Sequence, residues 1–136
     1  METEAFRIKF QKIDGIEQLC RILPDFHYGW SYFYKIEDFH LFRDYDYENW
    51  IEIQNLEMTL ISYDNLVSLT MRFEKICNFS MIGSDSVSGF EIEPRCDHAF
   101  GDQRNFDIFD YEEGAISFSC KSIKIISVKK LAAVTK

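Results

Sequence analysis

The fold is decided by the stretch Leu66-Val67-Ser68-Leu69-Thr70-Met71-Arg72-Phe73-Glu74. Its apolar side chains stand at every second position from 67 to 73, and polar side chains stand between them. Successive side chains of a β-strand point to opposite faces of a sheet, so this period of two predicts a strand with one buried face. The chain runs on through Ile76 and Phe79, which predicts that it still contributes to the core after the strand ends.

Length and composition are those of one folded domain. The chain has 136 residues, of which 46% are hydrophobic and 16% aromatic, so we expect residues 1–136 to form a single domain. The net charge of −8 argues against a general grip on nucleic acid and favours a basic partner. No apolar run approaches the roughly 20 residues of a membrane span. Because no secretion signal is recognised either, we expect a cytoplasmic protein with reduced cysteines.

Upstream of the central stretch, the pattern predicts one short helix followed by strands. Asp14 and Glu17 have the spacing of a capping box, and the apolar stripe behind them ends at Pro24. From residue 28 to 36 every second side chain is aromatic or branched, as in a strand. Two more strands are predicted at Trp50–Ile53 and Leu56–Tyr63, which would form an antiparallel meander with the central strand.

Downstream, turn residues separate further short strands. Phe90 to Pro94 is predicted as an edge strand, because proline cannot donate to a ladder. The turn Glu112-Glu113-Gly114 separates two strands of a hairpin, residues 106–111 and 115–121, and 123–128 is the last strand. Residues 129–136 are predicted to form a mobile basic tail. The fold class is therefore mainly β (α+β), an antiparallel sandwich or partly open barrel of about six to eight strands with one short N-terminal helix.

The candidate partner-binding surface combines carboxylates with aromatic rings. Between Glu37 and Glu48, five acidic residues stand against a single arginine, a local charge of −4. Aromatic residues are enriched in protein interfaces and charge steers the encounter, so the segment is predicted to bind a protein; the plain alternative is a solvated loop. The predicted contact residues are Asp38, Asp44, Tyr45, Asp46, Tyr47, Glu48 and Trp50, together with the later carboxylates Asp102, Asp107, Asp110, Glu112 and Glu113.

Other chemistries receive weaker support from the sequence. The row Trp30, Tyr32 and Tyr34 is predicted to pack in the core and at a sheet edge. If it is exposed instead, it could stack on a sugar or another small molecule, which makes a ligand-binding β domain the alternative function. Oxygen and nitrogen ligands for a metal stand together at Asp97, His98 and Asp102. Cys96 with His98 as a base would still need a third group and an oxyanion site for nucleophilic catalysis. A glycosidase-like acid pair could be drawn from Asp107, Asp110, Glu112 and Glu113, but acids around a hairpin turn are more often solubilising. We therefore predict a non-enzymatic protein with no cofactor.

Two stretches of the chain resemble a known class of proteins. The run from Leu56 to Phe79, ending in Arg72-Phe73-Glu74-Lys75-Ile76-Cys77-Asn78-Phe79, resembles the core of small bacterial immunity proteins from polymorphic toxin systems, and among them the immunity protein fifty type. The stretch from Asp110 to Val128 is similar to the way such chains end. The resemblance implies a protein that binds and blocks a co-encoded toxin domain, often a nuclease, inside the producing cell.

Overall fold

The chain forms two antiparallel β-sheets with two short helices. The computed structural model describes residues 2–23, 29–48, 50–82, 86–95 and 104–131. The helices are α1 (Glu2–Lys9) and α2 (Ile16–Ile22), and a 3-10 turn follows at Gly29–Tyr32. The strands are β1 (Phe33–Asp46), β2 (Ile51–Ser62), β3 (Val67–Glu74), β4 (Cys77–Met81), β5 (Phe90–Pro94), β6 (Phe106–Asp110), β7 (Ile116–Cys120) and β8 (Ser122–Lys130).

Each sheet has four strands, in the order β1-β2-β3-β8 in one and β4-β7-β6-β5 in the other. This arrangement confirms the predicted mainly β, antiparallel architecture, with two α-helices where one was predicted. The Phe90–Pro94 strand lies at a sheet edge as predicted, and the hairpin around Glu112-Glu113-Gly114 is β6–β7. No helix among the described residues has the length and apolar character needed to span a membrane.

The core lies between the two sheets, and β3 supplies its centre. Val67, Leu69, Met71 and Phe73 are all at most 3% exposed, which confirms the alternation seen in the sequence. The ring of Phe73 meets that of Phe118 on β7, in the opposite sheet, with centroids 5.1 Å apart. Cys120 is fully buried, as predicted for a small core residue, and burial raises the pKa of its thiol.

The strand predicted over residues 28–36 is confirmed only from Phe33 onward, and residues 29–32 before it form a turn that enters the core. Gly29 has φ +69, a backbone conformation that glycine adopts without cost, and residues 29–32 close a 3-10 turn there. Trp30 and Tyr32 are consequently 1% and 6% exposed, while Tyr34 is 40% exposed. The ring of Trp30 packs against Phe10 at 5.3 Å and against Phe90 at 6.5 Å. Core packing is therefore confirmed for Trp30 and Tyr32, and the alternative of a sugar-binding platform is wrong for these two residues.

The start of α2 also differs from the prediction. The helix is capped by Gly15, at φ +86, and no side chain makes a capping hydrogen bond. Asp14 instead pairs through its backbone with β8: its N–H donates to the carbonyl of Ile123, and its carbonyl accepts from the N–H of Ile125. Asp14 therefore stands one residue before the N-cap and makes no capping bond, so the predicted capping box is wrong.

Two predicted boundaries shift because strands are longer than their sequence patterns. Trp50–Ile53 and Leu56–Tyr63 were predicted as separate strands, yet a single strand β2 covers residues 51–62. The mobile tail predicted for residues 129–136 is wrong for Lys129 and Lys130, which pair with Ser68 and Val67 in β8. Residues 132–136 lie outside the described part of the chain.

Candidate functional site

The hairpin formed by β1 and β2 extends beyond the other strands of its sheet. Pairing between β2 and β3 ends where Leu56 meets Phe73. Pairing between β1 and β2 continues beyond it, from Arg43 opposite Gln54 to Asp46 opposite Ile51. We call residues 43–54 the hairpin arm. A two-stranded ribbon of this kind stabilises itself poorly, so its length calls for a reason other than folding.

The arm shows a strand where the sequence predicted a loop, and it holds most of the predicted contact residues of that segment close together. The acidic and aromatic segment from Glu37 to Glu48 was expected as a loop, but its residues up to Asp46 form β1. Cross-strand pairing with β2 overrides the weak strand propensity of aspartate. Of the predicted contact residues, Asp44, Tyr45, Tyr47, Glu48 and Trp50 lie on the arm and are exposed, and Asp38 is exposed on β1 before it. Asp46 is placed by its backbone alone, and its side chain lies outside the description.

Three aromatic rings gather at the tip of the arm. Tyr45 packs against Tyr47 with ring centroids 5.0 Å apart and against Trp50 at 6.4 Å. Their exposed fractions are 39%, 74% and 73%, respectively. Next to them Ile51 is 50% exposed, although the sequence did not single it out. An exposed group of large apolar side chains with a polar surround is a common mark of a protein contact.

Trp50 holds an unusual backbone conformation. It is the last residue of the four-residue loop between Asp46 and Ile51, and its φ is +56. This left-handed region suits glycine or asparagine and costs other residues on the order of 1–3 kcal/mol. Trp50 thus combines a large, mostly exposed side chain with a backbone conformation that suits smaller residues.

Negative charge surrounds the aromatic tip. The arm carries four acidic residues and one basic residue, a net charge of −3 by sequence. Arg43 Nη1 lies 3.2 Å from Glu52 Oε1, and both side chains are more than half exposed. With Ile53 and Gln54 they line an open recess of about 310 Å³ along the arm. The arm thus offers aromatic rings for close packing and carboxylates for attracting a cationic surface.

Asp110 has a different role from the one predicted. It is only 5% exposed, and its Oδ1 accepts hydrogen bonds from the N–H groups of Gly89, Glu112 and Glu113 at 2.9, 3.0 and 3.3 Å. Its Oδ2 accepts from Ala115 N–H at 3.1 Å. Burial alone would raise the pKa of Asp110, but the four backbone donors outweigh it and hold the pKa below its usual value. The carboxylate organises the β6–β7 turn, and we leave it out of the binding surface.

Of the remaining predicted carboxylates, the three that the structure describes lie on β6 or in the β6–β7 turn. Asp107 accepts a hydrogen bond from the Ser119 hydroxyl at 2.6 Å and lies 3.7 Å from the Arg95 guanidinium. Glu112 and Glu113 are exposed in the β6–β7 turn. Asp102 lies outside the described residues, as do Cys96, Asp97 and His98 of the suggested thiol and metal sites. Within the described ranges, no group of three or more His, Cys, Asp or Glu side chains is placed to hold a metal ion.

The β6–β7 turn and the arm occupy opposite ends of the sandwich. At one end of β4, Lys75 and Ile76 donate their backbone N–H groups to Asn55 Oδ1 and to the carbonyl of Gln54 at the base of the arm. At the other end, Ile82 donates to the carbonyl of Ala115, next to the turn. A five-residue strand separates these ends by about 13 Å. The sequence analysis combined the carboxylates of the arm and those of the β6–β7 turn in one binding surface. In the structure the two groups lie at opposite ends of the sandwich.

Comparison with known proteins gives one match. Residues 16–126, or 111 of 136 residues, match the family model of Immunity protein PIM8. No curated protein and no solved structure matches the chain. An immunity-protein family implies binding and neutralisation of a cognate toxin, and such families are generally non-enzymatic. The resemblance to immunity proteins of polymorphic toxin systems is confirmed, although the fifty type was the wrong one. The chain belongs to the family of Immunity protein PIM8.

Proposed function

We propose that this protein inhibits a cognate nuclease toxin stoichiometrically, and that the hairpin arm is the part that contacts the toxin. The observation that carries the proposal is the exposed aromatic tip, with Trp50 held at positive φ and carboxylates around it. Aromatic anchors surrounded by polar groups supply most of the affinity in many protein interfaces. Membership of the immunity-protein family supports a toxin as the partner, and the exposed rings and carboxylates of the arm support the arm as the surface that contacts it.

A nuclease is the class of toxin that suits this charge. An enzyme that cleaves nucleic acid needs cationic side chains where it holds phosphate groups. An arm of charge −3 on a chain of net charge −8 would be steered to such a surface and would compete there with the substrate. Because a nuclease threatens its producer from inside, we also propose that the protein acts in the cytoplasm.

Co-expression tests the proposed function directly. The probe is the C-terminal toxin domain encoded beside this chain, produced in bacteria with or without the protein. We expect survival only with the protein, and a one-to-one complex on co-purification. Cleaved nucleic acid in the unprotected cells would identify the toxin as a nuclease. Death in spite of full expression, with no complex recovered, would refute the proposal for that toxin.

Neutralising the charges of the arm should slow association. In the double variant Asp44→Asn and Glu48→Gln we expect the on-rate at low salt to fall about three- to tenfold, with a flatter dependence on salt. The side chains keep their size, so the on-rate should change more than the off-rate. Stopped-flow or surface-based kinetics at several salt concentrations measures both rates.

The β6–β7 turn offers a matched control for this prediction. Glu112→Gln with Glu113→Gln removes the same charge from exposed positions at the other end of the sandwich. We expect a smaller change in on-rate for this pair. An equal or larger change in on-rate for the control pair would mean that the whole molecule or the opposite end steers the toxin. The assignment of steering to the arm would then be wrong.

A further inference from the structure

The outer edge of β1 carries backbone groups that face no other strand of the described chain. β1 is the first strand in the order β1-β2-β3-β8, so only its inner edge is paired by a full strand. An isolated bridge between Lys35 and Ser86 covers the beginning of the outer edge. From Phe39 onward, the described residues contribute no further strand to that edge. Proteins usually protect an edge of this length from foreign strands.

The register shows which groups face outward. Gln54 accepts a hydrogen bond from Ile76 N–H, on the side of β2 away from β1. The N–H and C=O of one strand residue point to the same side and alternate along the chain, so the neighbour Ile53 faces β1. Ile53 is opposite Asp44, which therefore faces β2. The outward-facing residues of β1 are then Phe39, Leu41, Arg43 and Tyr45.

Hydrogen bonds to aspartate side chains agree with this assignment. Phe39 N–H donates to Asp38 Oδ1 at 2.9 Å, and Tyr45 N–H donates to Asp44 Oδ1 at 2.8 Å. Both donors belong to the outward set derived from the register. Between them, no carboxylate of the described residues accepts a hydrogen bond from the N–H of Leu41 or Arg43. The edge is thus open in its middle and closed at both ends by a carboxylate that can move aside.

We propose that a β-strand of the toxin, with basic side chains, pairs with the free edge of β1 between Phe39 and Tyr45. The inference rests on the proposed function, since it takes the toxin as the partner, and it adds the mode of binding. Strand addition supplies affinity through backbone hydrogen bonds and specificity through the side chains on either face. When the strand adds, Asp38 and Asp44 release the two N–H groups, and their carboxylates come to lie beside the incoming basic residues.

Charge decides between the toxin and a second copy of this chain. Two antiparallel β1 strands that overlap from residue 38 to 44 would set Asp38 of one copy against Asp44 of the other, at both ends of the paired segment. Like charges on adjacent strands destabilise the pair, whereas opposite charges at the same distance stabilise it. The edge therefore favours pairing with a cationic strand of another protein over pairing with a second copy of this chain.

Two variants at Arg43 separate the contribution of the backbone N–H to toxin binding from that of the side chain. Arg43→Pro and Arg43→Ala both remove the guanidinium and its contact with Glu52, but only proline removes the outward N–H. Proline is tolerated at an edge position whose N–H makes no ladder bond, so both variants should fold and melt at similar temperatures. We expect Arg43→Pro to bind the toxin domain at least tenfold more weakly than Arg43→Ala. Equal affinities would overturn strand pairing.

Hydrogen exchange on the unmodified protein provides a second, independent measurement. The amides of Leu41 and Arg43 should exchange rapidly in the free protein and become protected in the complex with the toxin domain. A complex that forms while these amides stay unprotected would refute strand pairing at the β1 edge. The proposed function would not be affected. Absence of any complex would refute both. Protection in the free protein, together with the mass of a dimer, would make a second copy the occupant and overturn the proposal.

Discussion

Replacement of Trp50 by alanine is expected to weaken toxin binding about 30-fold or more, which corresponds to roughly 2 kcal/mol. The side chain is 73% exposed and packs on Tyr45 at the tip of the arm, so a partner can still bury most of its surface. Tryptophan is among the residues that most often dominate an interface, because it buries a large area at a low cost in conformational entropy. Titration calorimetry against the toxin domain measures the loss.

The same substitution should leave the free protein intact. Trp50 contributes nothing to the core, and its φ of +56 burdens the hairpin loop. A Trp50→Gly variant removes that burden, so its melting temperature should equal or exceed that of the wild type while its affinity falls as in Trp50→Ala. A clear loss of thermal stability in either variant would assign Trp50 a structural role.

Tyr111 serves as the control for the Trp50 prediction. It is an exposed aromatic residue, 59% exposed, in the β6–β7 turn at the far end from the arm. Tyr111→Ala should change the affinity by less than about threefold, or roughly 0.5 kcal/mol. If Tyr111 proved critical and Trp50 did not, the toxin would bind the opposite end of the sandwich.

Fluorescence adds a spectroscopic readout to these variants. The chain has two tryptophans, of which Trp30 is 1% exposed and Trp50 is 73% exposed. Binding at the arm should shift the emission of Trp50 to shorter wavelength, because contact removes the indole from water. The Trp50→Ala protein, with Trp30 as its single tryptophan, should show no such shift. A shift that survives in this variant would indicate a change near Trp30 instead.

The sequence was most informative where one strand buries one face by itself. The alternation around Val67–Phe73 needs no tertiary knowledge, because each inward side chain meets the same core. The β6–β7 hairpin was equally accessible through its turn residues. In both places a local pattern and the global fold demand the same side chains, and the prediction was confirmed.

Tertiary context decided the features that the sequence did not predict. A strand from Tyr28 and a 3-10 turn at Gly29 both fit the aromatic spacing, and contacts of Trp30 with Phe10 and Phe90 determine the outcome. The hairpin arm was missed for a related reason. Its existence depends on where β2 loses its neighbour β3, a long-range fact that no local period encodes. The charge and aromatic content of the sequence nevertheless singled out residues that lie on the arm.

Loss of the Asp110 carboxylate should produce the largest destabilisation among the predicted variants. Asp110→Ala leaves the N–H groups of Gly89 and Ala115 buried without an acceptor, at a cost of about 1–3 kcal/mol each. The Glu112 and Glu113 donors lie nearer to solvent and should recover water. We therefore expect a total loss of about 3 kcal/mol and a melting temperature lower by roughly 10 °C, measured by calorimetry.

Asp107 provides the comparison on the same strand. Its carboxylate is partly exposed and has one hydroxyl donor and a loose ion pair with Arg95, so Asp107→Ala should cost about 1 kcal/mol or less. Gly89 gives a second check on the turn. A Cβ there would come within 2.8 Å of the Glu112 backbone nitrogen, so Gly89→Ala should destabilise the same turn even with Asp110 present. If Asp110→Ala melted like Asp107→Ala, the turn would not depend on the four hydrogen bonds.

Acid should remove the contribution of Asp110 in the wild type as well. Its pKa in the folded protein lies below the value of about 3.9 expected for an unfolded chain. The ionised carboxylate therefore stabilises the fold above about pH 4, and that stability is lost as the pH falls through the folded-state pKa. Asp64 also has a lowered pKa, but it is present in both proteins and cancels in a comparison. The free energy of unfolding should consequently fall more steeply below pH 4 in the wild type than in Asp110→Asn. Equal slopes would mean that the buried carboxylate gains nothing from its charge, and that any neutral acceptor could hold the turn.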